Sequence, residues 1–178
     1  MGVTNQYYYA LLISPWTGSV TTDTAVWDGT WTCGGITATN SSVLAGRVNA
    51  QGFAINVGSL VGWNAGTTNN IVLVGWSANL GTSWAAVSAD LAFYAANGVS
   101  FYAGYFGESA IGYLNPNAAA PGAALFGNAP TANGLPIYNP ATNPMELYIL
   151  DTAGPEPSTM AFVGLGGLVL WLFRRRNV

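Results

Sequence analysis

The chain has 178 residues but no histidine or lysine, a single cysteine, and charged side chains at only 6% of its positions. Without histidine, a Ser-His-Asp hydrolase, a Cys-His nucleophile and a histidine metal site are all excluded. Without a second cysteine, Cys33 cannot form an intramolecular disulfide, and its ordinary reading is a small buried hydrophobe. Positive charge is scarcer still. Three of the four arginines are Arg174, Arg175 and Arg176, which leaves residues 1–154 one cation, Arg47, against six carboxylates and a net charge of −5. A phosphate backbone is held by clustered Lys and Arg, so nucleic acid is excluded as a partner. Solubility must come from neutral polar groups.

Two carboxylates facing each other across a sugar-sized cleft remain conceivable in a chain with six body acids. Those acids are scattered, however, and the close pair Asp23 and Asp28 flanks a turn-like stretch, where Asp commonly accepts from the backbone. Calcium held there with backbone carbonyls lacks the regular ligand cluster such sites need. The expectation is a protein with no catalytic residues, no metal and no cofactor.

Turn signals recur at short intervals: Pro15-Trp16-Thr17-Gly18, Asp28-Gly29, Gly34-Gly35, Asn64-Ala65-Gly66, Asn97-Gly98 and Asn133-Gly134. Between them QYYYALLI, GFAINVG, NIVLVGW, VSFYAGYF and MELYIL are rich in β-branched and aromatic residues and predict strands. Many short strands with Gly-rich turns predict an all-β domain, a β-sandwich or jelly-roll-like fold. The exception is residues 82–94. There alanines accompany Trp84, Val87, Leu91 and Tyr94 at helical spacing, with Thr82 or Ser83 to cap the start and Asn97-Gly98 to end it, predicting one short helix. Residues 115–144 hold six prolines and read as a long loop.

Six tryptophans precede residue 154, namely Trp16, Trp27, Trp31, Trp63, Trp76 and Trp84. Trp76 and Trp84 sit in patterns that point inward, and aromatics commonly fill β-sheet cores. Trp16, Trp27 and Trp31 are the candidates for stacking on sugar rings, and Trp16, in its Pro-Trp-Thr-Gly turn, is expected to be the most exposed.

The last residues depart from everything before them. Met160, Ala161, Phe162, Val163, Gly164, Leu165, Gly166, Gly167, Leu168, Val169, Leu170, Trp171, Leu172 and Phe173 carry no charge, and Arg174, Arg175 and Arg176 follow at once. A helix of these 14 residues is about 21 Å long, short of the roughly 30 Å hydrocarbon core. Extension back through Thr159 and Ser158 and snorkelling arginines add reach. The positive-inside rule keeps the arginines cytoplasmic and puts the body outside. Pro155-Glu156-Pro157 stands just before the run, where two fixed φ angles give the helix a sharp start. The division is therefore a β-rich extracellular domain at 1–153 and a C-terminal hydrophobic segment, read as a transmembrane helix, at 154–178.

GPEPSTMAFVGLGGLVLWLFRRRNV resembles the PEP-CTERM sorting signal of exopolysaccharide-producing Gram-negative bacteria. The carrying features, in order, are Pro155, Glu156, Pro157 and Ser158, then the Gly/Leu-rich segment, then the arginine cluster. The resemblance implies that exosortase, an integral-membrane cysteine transpeptidase-like enzyme, recognises the chain as its substrate and processes it near the PEP motif. It also implies passage through the inner membrane on the way to the cell surface or extracellular matrix. The family normally bears an N-terminal signal peptide, whereas MGVTNQYYYALLISPWTG has no basic n-region before an apolar stretch; a leader upstream of Met1 is the expectation. More loosely, the body is similar to β-sandwich PEP-CTERM proteins of verrucomicrobial and planctomycete genomes. The likeness is carried by the YYYALLI strand, the Gly46-to-Trp76 strand pair, the Trp84 turn, FGES before a proline-rich stretch, and a strand just before PEP. The function expected is a non-enzymatic surface or matrix protein. An exopolysaccharide-binding lectin-like module and a self-assembling structural subunit, the latter suggested by the scarcity of repelling charge, stay open as alternatives.

Overall fold

The computed structural model describes residues 6–41, 48–51, 66–116, 134–137, 145–150 and 152. Its elements are β1 (Tyr7–Pro15), β2 (Thr32–Asn40), β3 (Val48–Gln51), β4 (Asn69–Ser77), a 3-10 turn (Ala78–Leu80), α1 (Trp84–Asn97), β5 (Gly104–Glu108), β6 (Gly112–Leu114), β7 (Gly134–Leu135) and β8 (Tyr148–Leu150). The eight strands join in one sheet of order β3-β2-β1-β4-β5-β8, with β6 also on β4 and β7 on β6, and every ladder is antiparallel.

The centre of the sheet is β1 paired with β4 along all nine residues, Tyr7 against Ser77 through to Pro15 against Asn69. Alternate side chains leave opposite faces, and here both faces are covered. Ala10, Leu12, Val72, Val74, Trp76 and Phe106 pack on one side with Val26 and Trp31 of the β1–β2 loop and Val87 and Leu91 of α1. Leu11, Ile13, Ile71 and Leu114 pack on the other with Ile137. This is why YYYALLISP and NNIVLVGWS run apolar with little alternation: a strand buried on both faces needs no polar side.

The layer on the first face is a helix, not a second sheet, so among the described residues the expected sandwich or jelly roll is instead a single sheet with α1 against it. The alanine-rich run with its Trp84, Val87, Leu91 and Tyr94 stripe supplies that cover. Ser83 caps α1 by accepting from the Ala86 N–H, and Gly98, at φ 74°, closes it through its N–H on the Tyr94 carbonyl at 2.7 Å.

Two irregularities set the register. Between Ala10↔Thr37 and Leu12↔Cys33 the β1–β2 ladder shifts, because Gly35, at φ 77°, lies in a bulge. The Gly34-Gly35 pair expected to make a turn therefore lies inside β2. On the far side of β4, β5 pairs with Val74–Trp76 and β6 with Asn69–Ile71, and Ser109 fills the gap. Its hydroxyl accepts from the Leu73 N–H at 3.0 Å while its own N–H donates to the Leu73 carbonyl at 2.8 Å, leaving no orphan on a central strand.

The strand predicted at VSFYAGYF begins only at Gly104, and that at MELYIL only at Tyr148. The one predicted at GFAINVG lies outside the described residues. Cys33 is an exposed free thiol rather than a core residue. It lies next to the bulge, where the strand leaves the regular face alternation.

Candidate functional site: the corner from which the chain leaves for its sorting tail

The described residues bring no three His, Cys, Asp or Glu side chains together as a possible metal site. Asp23 and Asp28 do converge, on Thr30. Its hydroxyl lies 2.7 Å from Asp23 Oδ2 and 2.7 Å from Asp28 Oδ1, and its N–H donates to Asp28 Oδ1 at 2.8 Å. Asp23 Oδ1 accepts from the Ala25 N–H at 3.0 Å. These are turn-forming contacts of the kind expected from the sequence. The Thr30 N–H, followed by the Thr30 hydroxyl, holds the Asp28 carboxyl below the ordinary carboxylate range.

Of the tryptophans expected to stack on sugars, Trp31 is 3% exposed and lies in the core on the α1 face, its indole N–H 3.3 Å from the Asp23 carbonyl. A ring so placed cannot receive a ligand, which corrects that expectation. The β1–β2 loop turns inward under α1, and no local pattern at Trp31 reveals this. Trp27 is half-buried against the same core. Trp16, also half-buried, packs on Tyr113 with ring centroids 4.6 Å apart. Trp76 and Trp84 point inward as expected, 5.9 Å apart, and the Trp76 indole N–H is satisfied by the Gly81 carbonyl at 2.9 Å.

The informative geometry lies where the body ends. Strand β8 pairs with β5 through Gly104↔Leu150, Tyr105↔Ile149 and Phe106↔Tyr148, and Thr152 bridges to Ser100. The approach depends on Gly107, where a Cβ would run into the Glu146 carbonyl oxygen. Ser100 belongs to the α1–β5 loop, which is tied down by the buried Asp90. The Ser100 hydroxyl is 2.6 Å from Asp90 Oδ2, and the Phe101 N–H donates to Asp90 Oδ1 at 2.7 Å. Phe101 then stacks on Phe93 of α1 at 3.9 Å. Asp90 is buried on α1, and no local pattern in the helix signals a carboxylate that ties down the following loop.

At the far end of β5, Glu108 carries a half-buried carboxyl whose Oε2 finds no partner, and burial pushes its pKa up. It faces the α1 side of the sheet as the register partner of Val74. At the edge, the Tyr148 hydroxyl donates to Glu146 Oε2 at 3.0 Å.

From Thr152 the chain passes to the Pro-Glu-Pro boundary and the apolar run. Among the described residues no helix is long and apolar enough to cross a membrane, and the predicted signal at 155–158, 160–173 and 174–176 lies outside them. A β-domain whose last described strand is followed in sequence by a Pro-bounded apolar run with a basic end has the organisation of a protein handed to a membrane-bound sorting system. The particular system follows from a family match: residues 155–176 match the model of the PEP-CTERM protein-sorting motif. The match supports a protein sorted by exosortase to the cell surface. No curated protein and no solved structure matches the chain.

Proposed function

We propose that the chain is a non-enzymatic exported protein whose β-domain is carried outside, held provisionally by its C-terminal segment, and released to the cell surface or extracellular matrix when exosortase cuts near Pro155-Glu156-Pro157-Ser158. The observation that carries this reading is the ordered tail, in which proline boundary, short apolar run and arginine block all fall within the matched residues 155–176. A run of about 21 Å suits brief retention better than permanent anchorage. The absence of histidine, together with the use of Asp23, Asp28 and Asp90 as acceptors for hydroxyls and backbone N–H groups, supports a body without catalytic chemistry. The test is expression behind a functional leader in a host with and without exosortase, followed by mass spectrometry of the C-terminal peptide. Cleavage that depends on exosortase is the expected result. An identical C-terminal mass in both hosts would falsify the sorting role.

A further inference from the structure

Five large apolar side chains are exposed among the described residues, and all five belong to the corner from which the tail departs: Phe101 (59%), Tyr102 (58%), Tyr105 (42%), Tyr148 (65%) and Ile149 (61%). Tyr105 and Ile149 are cross-strand partners. Tyr102 lies two residues from Ser100, which bridges to Thr152, the last described residue. The pairing therefore brings two segments, 101–105 and 148–149, to the β8 edge at the Ser77 end of the sheet. Tyr105 and Ile149 lie on the face away from α1 and Tyr148, the register partner of Phe106, on the α1 face, so that the corner is apolar on both sides of its edge. The opposite end, at Pro15 and Asn69, is about 30 Å away along the nine paired residues of β1 and β4.

The geometry points to this corner as a membrane-interface contact that seats the body on the outer face of the lipid bilayer while the tail is inserted. The inference rests on the membrane-inserted tail of the proposed function. Chain length puts the contact within reach: from Thr152 to Met160 is eight residues, at most roughly 26–29 Å fully extended. Chemistry selects lipid as the occupant. Tyr combines an apolar body with a hydroxyl that stays wet, the property that concentrates Tyr and Trp at the headgroup level of membranes. Electrostatic attraction contributes nothing, since Glu146 adjoins the corner and residues 1–154 carry −5, so the contact is with the interface and not with lipid charge. The side chains are also presented firmly, as Asp90 pins the loop before Tyr102 and β5 holds β8.

The test is depth-dependent quenching on the full chain reconstituted in phosphatidylcholine vesicles. Cys33→Ser removes the exposed native thiol, and single cysteines at Tyr102→Cys, Ile149→Cys or Thr17→Cys carry a fluorophore. Thr17 is exposed just beyond the Pro15 end of the sheet. With nitroxide-labelled lipid in the outer headgroup region, fluorescence at positions 102 and 149 is expected to fall by about half or more, as for groups lying within ~5–10 Å of the acyl boundary, while position 17 is unaffected. Co-flotation with vesicles but equal, weak quenching at all three positions overturns the contact while leaving the anchor intact. Failure to co-float overturns the anchor and the contact together. Shielding of 102 and 149 from aqueous iodide that grows with protein concentration in detergent, without quenching by lipid nitroxide, assigns the corner to a second copy of the chain and also overturns the inference.

Discussion

At the scale of single residues, the buried side-chain polar atoms among the described residues divide into those that find a partner and two that do not, Glu108 Oε2 and Asn115 Oδ1. Asp90 is 3% exposed and its two carboxylate oxygens hold the Ser100 hydroxyl and the Phe101 N–H. Asp90→Ala strands the Phe101 N–H, while the Ser100 hydroxyl keeps the Tyr102 carbonyl at 2.7 Å, and a loss of about 1–3 kcal/mol is expected in urea unfolding, together with faster proteolysis of the α1–β5 loop. Glu108 is the opposite case. Burial raises its folded pKa above the ordinary 4.5, so the folded state binds the proton more tightly than the unfolded chain. Between 4.5 and the raised folded pKa, stability therefore falls as pH rises. Glu108→Gln removes that penalty: a gain of up to about 1 kcal/mol is expected at pH 7, allowing for the half-exposed position, and none below pH 4.5, by thermal unfolding across that range. Asp28 has the reverse sign. Its lowered pKa adds stability that is present at neutral pH and lost as pH falls through the folded pKa, below 3.8.

At the scale of elements, the sheet is held together by positions where a side chain is missing or a hydroxyl stands in for a strand. Gly107 lets β8 lie against β5, and a Cβ there meets the Glu146 carbonyl oxygen and the Leu147 Cα. Backbone atoms cannot swing aside, so Gly107→Ala is expected to displace β8 without unfolding the β1–β4 centre. Hydrogen exchange reads this as lost protection at Tyr148–Leu150 with Leu11–Ile13 unchanged. Ser109→Ala tests the other device. It leaves the Leu73 N–H of a central strand without its acceptor, at an expected cost of roughly 1–3 kcal/mol by chemical denaturation.

At the scale of the whole molecule, charge is arranged along the chain rather than over a surface. One cation precedes residue 154 and three close the sequence. If the terminal arginines fix the orientation, replacing Arg174, Arg175 and Arg176 together by Gln is expected to abolish exosortase-dependent processing while leaving the fold of the body intact. The checks are the mass of the C-terminal peptide and the circular dichroism of the recovered protein.

The tail was legible because its signals are local: fixed φ at proline, hydropathy in an unbroken run and a block of charge need no partner from elsewhere in the chain. For the same reason α1 was legible with both its caps, as were the two central strands, since a long apolar run reports burial directly. The tertiary structure alone decided the rest. Gly34-Gly35 makes a bulge and not a turn because β1 pairs on either side of it. Trp31 is buried because its loop folds under α1, and one helix takes the face that a second sheet was expected to cover. The exposed corner arises because Tyr105 meets Ile149 across a ladder joining segments more than forty residues apart. Sequence determines what each segment prefers and where the chain is sent; which side chains share a face depends on pairings between distant segments, and those no local pattern contains.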